Sequence, residues 1–374
     1  MKSDIVGLIY TGDRMEELRD LVRIRSVAAL PLLGRYRLID FILSNMIHAG
    51  IRNIGLIMQS NYHSLIDHIG SGREWNLHGK RSGLSLLPPY ITHGKGGVYE
   101  GTLDALQSNM SFLRRSTERY ILVTDSFFLY SARFEDMCER HIATGADITL
   151  LYTKDRTVRR NGRGRYLDID GEGRVERIEF DPIIPHYPNT YMSAFIIRRE
   201  LLISLVDRAV AEGMHHFIRE LLVHMLQDKQ HKVFGYECPG EIWRLDSVQA
   251  YYKANMDFLD PVIRKHVFSH ERPIWTKLRD EMPARYMNGA KATNSLIADG
   301  CVIEGKVENC ILFRGVKVRP GAVVRGSIVM QDALISRDAQ VENCILDKQT
   351  TVREGMRLVG SPDYPVVIPK NLTI

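Results

Sequence analysis

The first 260 residues alternate short apolar runs with stretches whose apolar positions recur at helical spacing. Ile5 to Tyr10 reads as a buried strand, and Arg37 to Ala49 carries Leu38, Phe41, Ile42, Asn45 and Met46 at the spacing of one helix face. Ile54 to Met58 is the next apolar run. Ile121 to Asp125 is a further strand that ends in a carboxylate, Phe134 to Thr144 is amphipathic, and Ile148 to Tyr152 is a strand again. This β-α-β alternation predicts an α/β, Rossmann-like domain. Its sheet is expected to be mostly parallel with helices on both faces, and its ligand site to lie beyond the carboxyl ends of the strands.

After Leu259 the pattern changes. Asp260-Pro261, Pro273 and Pro283 interrupt a charged stretch that reads as a linker over 261–291. From Ala292 onward helical periodicity is absent, and Val307-Glu308-Asn309-Cys310-Ile311-Leu312 recurs as Val341-Glu342-Asn343-Cys344-Ile345-Leu346. Between the two copies Val316, Ala322, Ile328 and Leu334 are spaced by six, as are Val318 and Val324, and Gly300, Gly305, Gly315, Gly321 and Gly326 mark turns. A hexapeptide period predicts short strands stacked as a left-handed parallel β-helix over 292–374, with each aliphatic side chain pointing inward onto the next coil. A β-sandwich with accidental spacing is the alternative. The expected organisation is therefore 1–260, a linker over 261–291, and a β-helix over 292–374. An open-ended β-helix exposes a flank, so contact with another domain or subunit is expected.

Composition narrows the class without choosing a function. A length of 374 residues suggests two domains, and 44% hydrophobic with 25% charged residues excludes disorder, collagen and coiled coil. No apolar run approaches the roughly 18 residues of a spanning helix. Met1-Lys2-Ser3-Asp4 also lacks a signal-peptide core, so a cytoplasmic protein without a membrane role is expected. Five cysteines (Cys138, Cys238, Cys301, Cys310, Cys344) are an odd number at no metal-finger spacing and read as buried free thiols, with no metal site. The net charge of +5 is too mild and too dispersed for nucleic-acid binding. One dense cluster, Arg156, Arg159, Arg160, Arg163 and Arg165, fits a solvated hairpin tip; an anion site for a phosphorylated effector or an acidic partner surface is the other reading.

The run Gly34-Arg35-Tyr36-Arg37-Leu38-Ile39-Asp40-Phe41-Ile42-Leu43-Ser44-Asn45, with Ala49-Gly50-Ile51 and Tyr62-His63-Ser64-Leu65, closely resembles bacterial glucose-1-phosphate adenylyltransferase, or ADP-glucose pyrophosphorylase. The resemblance continues through Gly101-Thr102-Leu103-Asp104-Ala105, Asp125, Trp243-Arg244-Leu245-Asp246 and Ala254-Asn255-Met256-Asp257, and ends in the hexapeptide region. It implies a reaction in which an oxygen of glucose 1-phosphate attacks the α-phosphorus of ATP and releases pyrophosphate. Such a site brings two polyanions together and neutralises developing charge with a glycine-rich amide loop, basic side chains and Mg2+-holding carboxylates.

This chain departs from that pattern where phosphate is handled. The family's glycine-rich loop is replaced by Ile9-Tyr10-Thr11-Gly12-Asp13-Arg14-Met15-Glu16-Glu17-Leu18, which keeps one glycine and adds Asp13, Glu16 and Glu17. Val27 stands where the family has a phosphate-facing lysine, and Asp181, in Ile178-Glu179-Phe180-Asp181-Pro182, where it has the lysine that contacts the sugar phosphate. Asp125 and Asp246 align with metal-binding aspartates but in altered surroundings, and fold-determined strand ends explain them as well. Thr102 fits either nucleotide approach beside Gly101 or capping of a helix over Asp104 to Leu113. Asp40 is expected to fix the start of the helix that packs the first strand.

Losing one preorganised donor costs about 2.7 to 4 kcal/mol in the transition state, so losing an amide cradle and two lysines should leave negligible turnover. No catalytic residue is therefore expected, and Gly12, Val27, Gly101, Thr102, Asp125, Asp181 and Asp246 mark a degenerate nucleotide or sugar-phosphate pocket. The pattern resembles the companion, GlgD-type subunits that several bacteria pair with a catalytic, GlgC-type chain. That implies a regulatory subunit in a hetero-oligomer, a tetramer by family analogy, with no cofactor of its own and Mg2+ on the partner. The alternative is a sugar-phosphate nucleotidyltransferase active in its own right. Hexapeptide acyl transfer is disfavoured because no histidine follows His270 to act as general base.

Overall fold

The computed structural model describes residues 4–12, 15–79, 83–89, 99–160 and 162–374. The chain divides into two compact units. One comprises Met1–Asp13, Phe41–Tyr62 and Ile69–Trp243; the other comprises Arg14–Asp40, His63–His68 and Arg244–Ile374.

The first unit is built on a nine-stranded sheet. Its strands are β1 (Ile5–Tyr10), β2 (Ile54–Ile57), β3 (Leu84–Leu87), β4 (Tyr120–Thr124), β5 (Ile148–Thr153), β6 (Arg165–Ile169), β7 (Val175–Phe180), β8 (Asn189–Arg198) and β9 (Val233–Glu237). The order β7-β6-β8-β4-β1-β2-β3 has a parallel part, β4-β1-β2-β3, while β8 runs antiparallel to both β4 and β5. The long β8 is bulged between Tyr191 and Phe195 and carries Ser193 at φ 52, a left-handed conformation that costs a non-glycine residue about 1–3 kcal/mol. β1, β2 and β4 are almost wholly buried runs of Ile, Leu and Val, as strands covered on both faces must be. The helix Phe134–Thr144 has the ends its amphipathic pattern predicts, closed by Gly145 in the left-handed conformation.

In the second unit three parallel five-stranded sheets form the left-handed β-helix. Val307, Val324 and Val341 stack in register, so each of these two coils takes seventeen residues, two sides of six and one of five, whereas the coil from Ala292 to Val307 takes fifteen. The hexapeptide spacing therefore slips once per coil. Val316, Ala322 and Val324 point into the fully buried interior, but Leu334, six residues on from Ile328, is half-buried, and Ala333 and Ile335 take the inward positions. Asn309 and Asn343 of the repeated hexapeptide turn corners at φ 53 and φ 50, and the cysteines after them, Cys310 and Cys344, are fully buried. Asparagine tolerates that conformation better than most residues, which accounts for the recurring Asn-Cys pair.

The first coil opens at Arg285–Tyr286, and the preceding segment contains a helix, Pro261–Val267, capped by Asp260, whose carboxylate accepts from Val262 N–H at 2.8 Å. A buried ion pair ties the ends of this unit's chain together. Arg25 donates to both carboxylate oxygens of Asp347 at 2.8 and 2.9 Å, with both side chains 2% exposed. All five cysteines are free thiols; four are buried and Cys138 is half-buried. Among the described residues no helix is long and apolar enough to cross a membrane.

Candidate functional site

At the carboxyl ends of β1, β2 and β4 the first unit has a cleft. Tyr10, Ile57, Val123, Tyr191, Phe195 and Phe217 give it an apolar lining, and Thr102, Asp125, Ser193 and Arg165 supply its polar groups. Asp125 is 8% exposed, its N–H donates to the Ser193 carbonyl at 3.2 Å, and one carboxylate oxygen accepts from Phe127 N–H at 3.4 Å. Among the described residues Arg165 is the one cation that lines this cleft.

Side chains occupy the space beside Gly12. A Cβ placed on Gly12 would lie 2.4 Å from Gln59 Oε1 and 2.5 Å from the Tyr10 ring. The Tyr10 hydroxyl donates to Gln59 Oε1 at 3.3 Å, and the Gln59 amide donates to the Tyr99 carbonyl at 3.1 Å. The space beside Gly12 is thus taken by a tyrosine and a glutamine. Asp13 lies outside the described residues. Glu16 and Glu17 are exposed in the first turn of a 3-10 helix, Glu16–Leu21, whose Leu18 and Leu21 are buried.

The other residues singled out from sequence divide between the two units. Gly101 precedes the helix Thr102–Ser108, and a Cβ on it would lie 2.1 Å from the His215 carbonyl oxygen, so glycine is required by close packing. Thr102 does not cap the helix, contrary to expectation: its hydroxyl accepts from Phe217 N–H at 3.0 Å and pins the segment that walls the cleft. The helix expected over Asp104 to Leu113 is interrupted at Asn109. Asp181 is exposed, at φ 48, where it accepts from Gly164 N–H at 2.9 Å and pairs with Arg219 at 2.6 Å. That pairing turns the carboxylate to a surface loop. Val27 belongs to the second unit and is 2% exposed in a 3-10 turn, where it is a packing residue.

Asp246 also belongs to the second unit. It is 3% exposed and 2.8 Å from Arg244 Nε, an ion pair rather than an aligned hydrogen bond. Asp246 is paired with Arg244, and the other charged side chain lining the Asp125 cleft, among the described residues, is Arg165.

The arginine cluster is dispersed by the fold. Arg156 starts an exposed 3-10 turn, Arg159 donates to the Tyr187 carbonyl at 2.5 Å and lies over the Tyr166 ring, and Arg160 donates to the Thr157 and Arg159 carbonyls, each at 3.0 Å. Arg163 pairs with Arg160 in a tight turn, while Arg165, on β6, reaches the cleft.

The second unit holds a concentration of positive charge that local sequence does not reveal. A pocket is lined by Arg35, Arg37, Lys277, Arg279, Arg314 and Lys348, together with Tyr36, His68 and Gln331, and no carboxylate is among its lining residues. Arg35 and Arg37 enter on a tight hairpin, Pro31–Leu32 against Tyr36–Arg37, whose turn takes Leu33 and Gly34 through φ 52 and 82. Tyr251 Oη donates to the Pro31 carbonyl at 2.6 Å and Asn255 Oδ1 accepts from Leu33 N–H at 3.1 Å, so the helix Val248–Asp257 holds this hairpin. Asp40 accepts from Arg37 N–H at 2.8 Å, fixing the start of helix Leu38–His48 as expected, and binds His68 at 2.6 Å.

Arg314, Gln331 and Lys348 occupy the same corner of three successive coils, a ladder with the seventeen-residue period. Burial, followed by the nearby Arg35 and Arg279, lowers the Arg314 pKa. Burial, with Arg25 and Arg279 adding to it against Asp40, lowers that of Arg37 to about 10. Arg314 is 8% exposed and its Nε has no partner among the described residues. Such crowding of like charge is unfavourable until an anion enters.

Comparison with known proteins places these observations. The nucleotidyl transferase profile matches residues 6–260 and the GlmU-like, C-terminal hexapeptide profile matches residues 282–363. Glycogen biosynthesis protein GlgD of Bacillus subtilis (strain 168) is 31% identical over 370 residues, covering 99% of this chain and 97% of its own. This chain belongs to the glucose-1-phosphate adenylyltransferase family of nucleotidyl transferases. Within that family, the GlgD of Geobacillus stearothermophilus is 31% identical over 87% of this chain and 84% of its own. Glucose-1-phosphate adenylyltransferase of Thermomicrobium roseum is 33% identical over 94% and 82% respectively. The resemblance read from the motifs and the fold class read from the two periodicities are both shown.

Proposed function

We propose that this chain is a non-catalytic, or very weakly active, regulatory subunit of a heteromeric glucose-1-phosphate adenylyltransferase in the cytoplasm, acting in glycogen biosynthesis. In this reading the chemistry and the Mg2+ reside on a catalytic partner of the GlgC type, and this chain biases that partner's competent state. The observation that carries the proposal is the placement of charge. Among the described residues, the cleft at the sheet's carboxyl edge has a largely aromatic and aliphatic lining with one arginine, whereas six basic side chains and no carboxylate line the pocket of the second unit. A family member whose described cations gather away from the sheet's carboxyl edge is suited to sensing an anionic effector.

Only a modest bias is required of such a subunit. A ligand or interface that favours one state by a few kcal/mol moves a two-state population from mostly incompetent to mostly competent. Co-expression with a catalytic adenylyltransferase chain from the same source tests the proposal. The two chains should co-purify, and the complex should differ from the catalytic chain alone in turnover number or in response to phosphorylated effectors. Independent elution of the two chains, or identical kinetics at saturating companion, contradicts it.

A further inference from the structure

One cation in the basic pocket differs from the rest. The arginines keep their charge across the physiological range, and the Lys277 ammonium donates to the Asp67 carbonyl. The Lys348 ammonium has no hydrogen-bond acceptor among the described residues; only its backbone N–H is engaged, by Asp347 at 2.7 Å. The charged groups facing it come from three directions. Arg25 and Arg37 belong to the N-terminal segment of this unit, Lys370 to the C-terminal segment, and Asp347 to its own coil. Asp347 is the one carboxylate of that set, and both of its oxygens already accept from Arg25. Of the other lining groups, His68 is hydrogen-bonded to Asp40, and Tyr36, Lys277, Arg35, Arg279 and Arg314 bring no negative charge near neutrality.

Half-buried among three cations, Lys348 lacks what would keep an amine charged. Burial first, and then Arg37 and Arg25, pull its pKa down to about 7. An anion in the pocket supplies the missing counter-charge and favours the ammonium form.

We infer that an oxyanion entering this pocket binds together with one proton, which the Lys348 amine takes up. The inference rests on reading the pocket as an anion site, as above. It makes Lys348 the residue that couples anion load to pH: where the free amine is neutral, each further pH unit weakens binding about tenfold, because one proton must be acquired with each anion. Arginine at this position would bind without that dependence.

Sulfate is the suitable probe because it neither gains nor loses a proton near neutrality, so any proton taken up goes to the protein. Titration calorimetry of the full chain with sulfate at about pH 8, in two buffers of different ionisation enthalpy, should report uptake approaching one proton per sulfate, with the Kd rising about tenfold over the next pH unit. Lys348→Arg should bind sulfate with buffer-independent heat and a flat pH profile. Should the arginine crowd the pocket, Lys348→Met should bind weakly and likewise without proton uptake. Buffer-independent heat in the unmodified chain, or proton uptake that persists in Lys348→Arg, overturns the coupling while leaving the anion site standing. No sulfate binding at any pH overturns the anion-site reading, and the inference with it.

Discussion

The two concavities of this protein divide between them what a phosphate-transfer site needs together. The cleft in the first unit occupies the position where α/β sheets bind ligands, yet its lining is apolar and Gly12 beside it is hemmed in by Tyr10 and Gln59. The pocket of the second unit has the charge, delivered by a hairpin and by one corner of the β-helix, but no carboxylate that could hold a metal is among its lining residues. Position in a fold and chemistry at a position are separable: the sheet persists when its ligands change, because the residues that build it are the buried aliphatic ones.

Several changes break or sharpen that contrast. The largest effect is expected at the support of the basic pocket. Arg25→Met leaves Asp347 buried without its partner and should cost about 3–5 kcal/mol in denaturant unfolding, and Arg25→Met combined with Asp347→Leu should recover most of it. A small loss in the single variant would mean that the buried pair does not hold the pocket. Val27→Lys restores the residue type of active family members, but in this chain it places a charge in a position 2% exposed. Destabilisation of roughly 3 kcal/mol and no ADP-glucose synthesis are expected; a stable, active variant would return that position to a working site.

Intermediate effects separate the two concavities by ligand. Arg314→Ala should weaken sulfate binding about tenfold or more, as befits the loss of a charge-assisted bond, while Arg165→Ala in the cleft should leave it within about twofold. Equal losses in both would erase the contrast. The smallest effect concerns stability and has the opposite sign to binding. Because the folded pKa of Lys348 is about 7 against an ordinary 10.5, the unfolded chain binds more protons between those values. Stability of the unliganded protein should therefore rise with pH across that window. Lys348→Met should unfold at a slightly higher temperature near neutrality and lack this rise, in scans without sulfate.

The alternation of strands and helices was legible because burial on both faces of β1, β2 and β4 forces continuous aliphatic runs, and the strand Ile5–Tyr10 has its expected ends. The β-helix was legible from its inward aliphatics, but the five-residue side was not: a spacing of six fits two sides of each coil and fails at the third, where Leu334 falls out of phase. The loss of the phosphate loop could be read from its missing glycines, whereas its filling by Gln59 depends on a residue more than forty positions away. The basic pocket was hidden for the same reason. Its cations run from Arg35 to Lys348 and meet through tertiary folding, while the five clustered arginines that stand out in the sequence end on separate carbonyls, rings and surfaces. Knowledge of the seventeen-residue coil would have placed Arg314, Gln331 and Lys348 on one corner from sequence alone.

On the proposed function, the cleft at the sheet's carboxyl edge does not perform adenylyl transfer. The most direct test is ADP-glucose formation by the purified chain alone, given saturating ATP, glucose 1-phosphate and Mg2+. Turnover indistinguishable from a protein-free control is the predicted result. Sustained turnover within about a hundredfold of a catalytic family member, abolished by Asp125→Asn, would contradict it.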